Sequence, residues 1–150
     1  MPRDGWGDPF ETPVFGVGGR AVRELVAGPL EAGMGDIRVA RVYDGDGVPE
    51  GSRFLVERLW PRGVRRADLR LVDWLRDVAP STELRRWFGH DPARWAEFCR
   101  RYAAELDATP GAWRPLLDAA RSGPIVLLYS ARDREHNNAR ALRDYLLDRR

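Results

Sequence analysis

Apolar and polar positions alternate along most of the chain in patterns that predict strands and helices in turn. Alternating side chains predict a first strand over 37–43, and the Asp-Gly-Asp-Gly sequence after it has turn chemistry. A second strand is predicted over 54–59, where a Pro-Arg-Gly turn ends it. The run 125–129 has no polar alternation, which predicts a strand covered on both faces, as in parallel sheets.

Apolar residues at helical spacing predict five helices between and after these strands. Ser81 and Asp91 are typical N-cap residues, and Pro92 suits a first helical position. Glycines at 89 and 123 mark helix ends. The predicted helices cover 71–78, 82–88, 92–106, 110–120 and 139–146.

Residues 1–35 differ from the rest of the chain, because they hold eight of the fifteen glycines and four of the eleven prolines without a regular apolar period. This composition predicts a disordered tail. Met34 precedes the first patterned strand, so we expect it to be the true start of the natural protein. Residues 36–150 are expected to form a single compact α/β domain, a mostly parallel sheet flanked by helices.

The composition excludes several classes of protein. A chain of 150 residues can bury a core without a metal or a disulfide. The one cysteine, Cys99, cannot form an internal disulfide, which favours a reducing cytoplasm. No apolar stretch approaches the ~20 residues of a membrane span, so no membrane association is expected. All 25 basic residues are arginine, but the net charge is only +2, which does not favour a dedicated nucleic-acid binder.

Candidate chemistry lies at the predicted ends of strands, where ligands bind in open parallel sheets. The loop after residue 129 carries Ser130, Arg132, Asp133 and Asn137 to a helix start, whose N–H groups and dipole favour an anion. The alternative is that Asp133 or Asn137 only caps that helix. No phosphate-binding glycine loop or nucleophile elbow is present in the sequence, and no cofactor or metal is expected.

A second group of candidates, Arg58, Trp60 and Arg62, is predicted to lie at the end of the second strand. Two arginines and a tryptophan suit a phosphate and a planar base, although Arg58 in an ion pair and Trp60 in the core fit equally well. His90, with Asp91 beside it, is a candidate general acid or base, and Asp133 is a second candidate catalytic residue. The alternatives are that Asp91 only caps the next helix and that His90 only fixes its loop.

Several blocks of the chain resemble the YeaO-like prokaryotic family, a domain of unknown function. These blocks are RVYD (41–44), ERLWPRG (57–63), WLRDVAPS (74–81), ELRRWFGHDP (83–92), RYAAEL (101–106) and LLYSAR (127–132). The resemblance spans 37–147 and implies a small cytoplasmic α/β protein in which the RLWPRG and WFGHDP blocks lie near one another. More distant relatives carry cysteines near the last strand-to-helix loop. Here Ser130, Asn137 and Asn138 stand in that neighbourhood, which argues against thiol chemistry.

Three functional hypotheses follow. The first is binding of a phosphate-bearing small molecule or nucleotide, with hydrolysis or transfer as a further step. The second is a nucleic-acid-binding or repair-associated module that uses the arginines at 62, 65, 66 and 70 on phosphates and exposed tryptophan on bases. The third is a non-catalytic protein-interaction domain, which predicts an exposed apolar helix face. The oligomeric state is left open.

Overall fold

The computed structural model describes residues 35–150, so the predicted tail and Met34 lie outside the described residues, apart from Gly35. The strands are β1 (Ile37–Arg41), β2 (Ser52–Leu55), β3 (Leu71–Trp74) and β4 (Ile125–Tyr129). The α-helices are α1 (Arg66–Leu69), α2 (Thr82–Phe88), α3 (Trp95–Asp107), α4 (Pro110–Ala120) and α5 (Asn138–Leu147). Short 3₁₀ turns occur at Gly45–Gly47, Arg76–Val78 and Pro92–Arg94.

The four strands form one parallel sheet in the order β1-β4-β2-β3. The last strand therefore lies between the first two, with Ile125 opposite Ile37 on one side and opposite Ser52 on the other. All five residues of β4 are buried, as the unbroken apolar run predicts. The predicted α/β fold with a parallel sheet flanked by helices is confirmed.

Two predicted capping residues act as expected: Ser81 caps α2, and Asp91 caps the 3₁₀ turn that leads into α3. The Ser81 hydroxyl accepts a hydrogen bond from the Leu84 N–H at 3.1 Å, and Gly89, at φ 55°, ends α2. The Asp91 carboxylate accepts one from the Ala93 N–H at 3.0 Å. A 3₁₀ turn from Pro92 then leads into α3, whose buried side chains include the predicted apolar positions 98, 102 and 106.

The helix predicted over 71–78 is wrong. This segment contains β3, followed by a 3₁₀ turn. The spacing of four apolar residues fits a helix, but β3 gains a neighbouring strand instead, since Leu71 pairs with Arg53 and the Leu75 N–H donates to the Leu55 carbonyl at 2.8 Å. Arg70, at φ 52°, ends α1 and turns the chain into the strand.

Two strands are shorter than predicted. β1 ends at Arg41 because the Asp44 carboxylate accepts a hydrogen bond from the Arg41 N–H at 2.9 Å and folds the chain into a turn. β2 ends at Leu55, four residues before the predicted end. The Val56 N–H still donates to the Leu128 carbonyl at 3.2 Å, and beyond it the chain leaves the sheet. This early end decides which side chains reach the carboxyl edge of the sheet.

Candidate functional site

A cleft of about 870 Å³ opens where β2 and β4 end. Its walls come from residues 57–59 after β2, from the turn that precedes α2, from α2 itself, and from the segment 130–138 that connects β4 to α5. The carboxyl ends of adjacent parallel strands are the usual position of a ligand site in such sheets. The cleft also lies within the size range of small-molecule pockets.

Asp133 organises the loop between β4 and α5. Its carboxylate accepts hydrogen bonds from the N–H groups of Glu135 and His136, at 2.9 and 3.0 Å. The other carboxylate oxygen lies 2.9 Å from Nδ1 of the His136 ring. The hydrogen bond with His136 is the main reason that the pKa of Asp133 is lowered. The His136 ring in turn lies edge-on to Trp95, at 5.2 Å between centroids.

Asn137 is the N-cap of α5 and the one buried polar side chain of the described residues, with 2% of its surface exposed. Its amide oxygen accepts a hydrogen bond from the Arg140 N–H at 2.9 Å, and its amide nitrogen donates to the carbonyls of Asp133 and Arg134, both at 3.1 Å. The structure therefore shows the capping role that was the alternative for this residue. Asn137 lines the cleft, and its hydrogen bonds to the Asp133 and Arg134 carbonyls hold the loop that forms one wall of the cleft.

Glu57 and Ser130 meet where the two strands end. The Ser130 hydroxyl donates to a Glu57 carboxylate oxygen at 3.1 Å. Burial raises the pKa of the Glu57 carboxyl, although hydrogen bonds from Ser130 and the charge of Arg85 act against this shift. The site thus contains a half-buried carboxylate in contact with a hydroxyl group.

Four arginines line the cleft: Arg58, Arg85, Arg86 and Arg132. The Arg58 guanidinium donates to the carbonyls of Ala79 and Pro80, at 3.2 and 3.5 Å, and not to a carboxylate as in the ion pair that was its alternative role. The other three are exposed, and within residues 35–150 none of the four forms an ion pair. Positive charge in this cleft is therefore only partly neutralised.

His90 is exposed at the wall of the cleft, in a left-handed conformation with φ 57° directly after Gly89. Its ring centroid lies 6.2 Å from that of Phe88. The neighbouring Asp91 caps the next turn, so these two adjacent residues do not form a dyad. His90 and Asp133 line the same cleft, but no hydrogen bond joins them in the described structure.

Trp60 and Arg62 do not line the cleft, in contrast to the prediction. The Trp60 ring is half-buried against the core, lies edge-on to Trp74 at 5.3 Å, and donates its N–H to the Val64 carbonyl at 2.7 Å. Arg62 is exposed, and its carbonyl accepts a hydrogen bond from the Tyr43 hydroxyl at 2.8 Å. Six of the eight predicted site residues therefore share the cleft: Arg58, His90, Ser130, Arg132, Asp133 and Asn137.

Glu57, Arg85 and Arg86 are charged residues of the cleft that were not among the predicted site residues. Glu57 follows β2 by two residues and would have been found by the strand-end rule, had the end of that strand been placed at Leu55. The two arginines belong to α2, and their sequence gives no sign that this helix borders the site. Residues 35–150 contain no group of three or more His, Cys, Asp or Glu side chains that could hold a metal ion.

Comparisons with known proteins agree on one family. The model of the inactive DUF488-N3 subclade matches residues 36–150. The uncharacterized protein YeaO of Escherichia coli K12 is 41% identical over 111 residues, which are 74% of this chain and 96% of YeaO. The uncharacterized protein Rv3073c of Mycobacterium tuberculosis H37Rv is 51% identical over 70 residues, 47% of this chain and 59% of that protein. No solved structure gives a significant match. Among the described residues, no helix has the length and apolarity needed to cross a membrane.

Proposed function

Because the chain belongs to the YeaO-like DUF488 family, within its inactive DUF488-N3 subclade, we propose that it binds a phosphate-bearing small molecule in the cleft without chemical turnover. The observation that carries this proposal is the set of exposed arginines, Arg85, Arg86 and Arg132, which line one cleft and form no ion pair within residues 35–150. Guanidinium groups match phosphate oxygens in geometry as well as in charge.

The start of α5 supports the same proposal. The helix has ten residues, and its N-cap Asn137 and its first residue Asn138 line the cleft. Free N–H groups and the positive end of the helix dipole favour an anion at such a position. Ser130, at the end of β4, supplies a hydroxyl group at the same edge of the sheet.

Binding without turnover agrees with how the predicted catalytic residues are used. The Asp133 carboxylate accepts hydrogen bonds from its own loop and from His136, which leaves little of it for proton transfer. His90 has no carboxylate partner in the described structure. In this proposal His90 donates a hydrogen bond to the ligand and Asp133 positions His136, so hydrolysis or transfer is not required.

Calorimetric titration with inorganic phosphate at low ionic strength tests the proposal. We expect Arg86→Ala and Arg132→Ala each to weaken binding about tenfold, because a hydrogen bond to a charged group contributes roughly 1.5–3 kcal/mol. The matched control is Arg114→Ala, an exposed arginine of α4 outside the cleft, which should bind like the unaltered protein. Absence of binding at millimolar phosphate, or equal loss in the control, would refute the proposal. Phosphate release from a panel of esters would refute the absence of turnover.

A second candidate, nucleic-acid binding, is favoured by another group of exposed arginines. They form no ion pair within the described residues and are Arg62, Arg66, Arg70 and Arg76. The five tryptophans of residues 35–150 are all partly or fully buried, so this part of the chain has no exposed tryptophan for base stacking. The indole N–H groups of Trp60 and Trp74 also donate to the carbonyls of Val64 and Glu57. If single-stranded nucleic acid binds through four phosphates, a plot of the logarithm of the binding constant against the logarithm of the salt concentration should have a slope of about −3. Binding that does not depend on salt concentration would exclude this candidate function.

The third hypothesis, a protein-interaction domain, predicted an exposed apolar helix face. The large apolar side chains exposed in residues 35–150 are Tyr43, Leu59 and Val72, and none of them lies on a helix. That part of the chain therefore offers no continuous apolar face of this kind.

A further inference from the structure

Glu57 differs from Asp133, the other acidic residue that lines the cleft. Its carboxylate is half-buried, and within residues 35–150 it forms no ion pair. Burial of an acidic group without a cationic partner costs free energy, and such groups concentrate at functional sites. The anion site proposed above makes no use of this carboxylate.

The structure holds Glu57 in a fixed position. The Trp74 indole N–H donates to the Glu57 carbonyl at 2.6 Å, and the Asn138 amide donates to the carbonyl of the preceding Val56 at 2.7 Å. The Ser130 hydroxyl contacts the carboxylate itself. The backbone is thus held from both neighbouring segments, which preorganises the carboxylate before a ligand enters.

The placement of Glu57 relative to the anion site indicates what it can recognise. Glu57 follows β2 and the segment leading to α5 follows β4, and these strands are direct neighbours in the sheet. Adjacent strands lie about 4.8 Å apart. A phosphate at the start of α5 would therefore leave the adjoining organic part of its ligand within reach of the carboxylate.

We infer that the ligand of this cleft is a phosphorylated polyol, whose hydroxyl groups donate hydrogen bonds to Glu57 while the phosphate binds the arginines and the start of α5. This inference rests on the proposed function and adds the class of ligand. An ionised carboxylate only accepts hydrogen bonds, so it favours hydroxyl groups and disfavours a second anion. A carboxylate beside a phosphate site binds the ribose of dinucleotides in the same manner in other α/β folds.

Calorimetric titrations with ribose 5-phosphate and methyl phosphate test the inference, because both are phosphate monoesters and only the first carries hydroxyl groups. We expect ribose 5-phosphate to bind at least tenfold more tightly. Glu57→Gln should reduce this preference to about twofold without changing the affinity for methyl phosphate more than threefold. The control Glu135→Gln removes the same charge from an exposed loop residue outside the cleft and should keep the full preference.

The outcomes separate the two proposals. If neither ester binds the unaltered protein, the anion site itself is refuted. If both bind with equal affinity, the anion site stands and the polyol inference is refuted, and this comparison needs no variant to fold. An unchanged preference in Glu57→Gln also overturns the assignment. Adenosine monophosphate in a third titration identifies the source: tighter binding than ribose 5-phosphate indicates a nucleotide, and equal binding a free sugar phosphate.

Discussion

Replacement of Asn137 by alanine should destabilise the domain and loosen the loop that surrounds the cleft. The side chain is buried and makes three hydrogen bonds, one as an acceptor from the Arg140 N–H and two as a donor to the carbonyls of Asp133 and Arg134. Alanine removes all three and leaves these backbone groups without their partner.

The expected loss follows from these contacts. Removal of an N-cap side chain costs roughly 1 kcal/mol, and each lost hydrogen bond to a carbonyl costs roughly another 1 kcal/mol. The total of about 3 kcal/mol is a large share of the 5–15 kcal/mol that is typical of a domain. It corresponds to a fall of about 10 °C in melting temperature.

Urea unfolding followed by tryptophan fluorescence measures this loss, and Asn137→Ser is the matched control. Serine also has an oxygen that can cap the helix but cannot donate to both carbonyls, so it should lose about 2 kcal/mol, less than alanine. The role assigned to these hydrogen bonds is wrong if the free energy of unfolding of Asn137→Ala lies within about 0.5 kcal/mol of that of the unaltered protein. It is also wrong if the serine and alanine variants are destabilised equally.

Three further predictions concern single sites. Burial raises the pKa of the Glu57 carboxyl above 4.5, so ionisation of this group lowers the stability of the folded protein as the pH rises from that value through the folded pKa. The variant Glu57→Gln should therefore have a higher melting temperature than the unaltered protein at pH 7. This difference in melting temperature should vanish below pH 4.5. Burial raises the pKa of Cys99 to about 11, so its alkylation by iodoacetamide at pH 8 should be roughly a hundredfold slower than that of a free thiol. Mass spectrometry measures this rate, and alkylation as fast as that of a free thiol would contradict the prediction. Gly51 has φ 144°, and a Cβ added there would lie 2.8 Å from the Pro124 carbonyl oxygen. A Cβ added at Gly45 would meet nothing within 4 Å. Gly51→Ala should therefore lose about 3 kcal/mol in urea melts against about 1 kcal/mol for Gly45→Ala, and equal losses would show that the clash is relieved.

Local signals in the sequence predicted most of the fold. The capping residues Ser81 and Asp91, together with the apolar spacing behind them, predicted α2 and α3 because those signals act within a few residues of the chain. β4 was predicted because a strand covered on both faces has no polar position. The error at 71–78 arose because β3 is stabilised by pairing with residues 53–55, a contact that the local pattern does not contain.

The candidate site was predicted only in part, because some of its residues depend on contacts between distant parts of the chain. The rule that ligands bind beyond strand ends placed Ser130 and the loop after it at the cleft. Applied to a strand that was made four residues too long, the same rule selected Trp60 and Arg62 instead of Glu57. The contribution of α2 depends on tertiary packing and could not be read from its own residues.

The position of β4 between β1 and β2 constrains how the chain can assemble during synthesis. In the described sheet β1 pairs with β4 alone, and β4 (Ile125–Tyr129) leaves the ribosome more than eighty residues after β1. Pairing of such distant segments closes a long loop before it gains any contact, which slows folding. The β2–β3 pair can form early, but the complete sheet must wait until β4 has been synthesised. Nascent chains that stall before β4 therefore leave β1 and β2 without the strand that pairs with both of them.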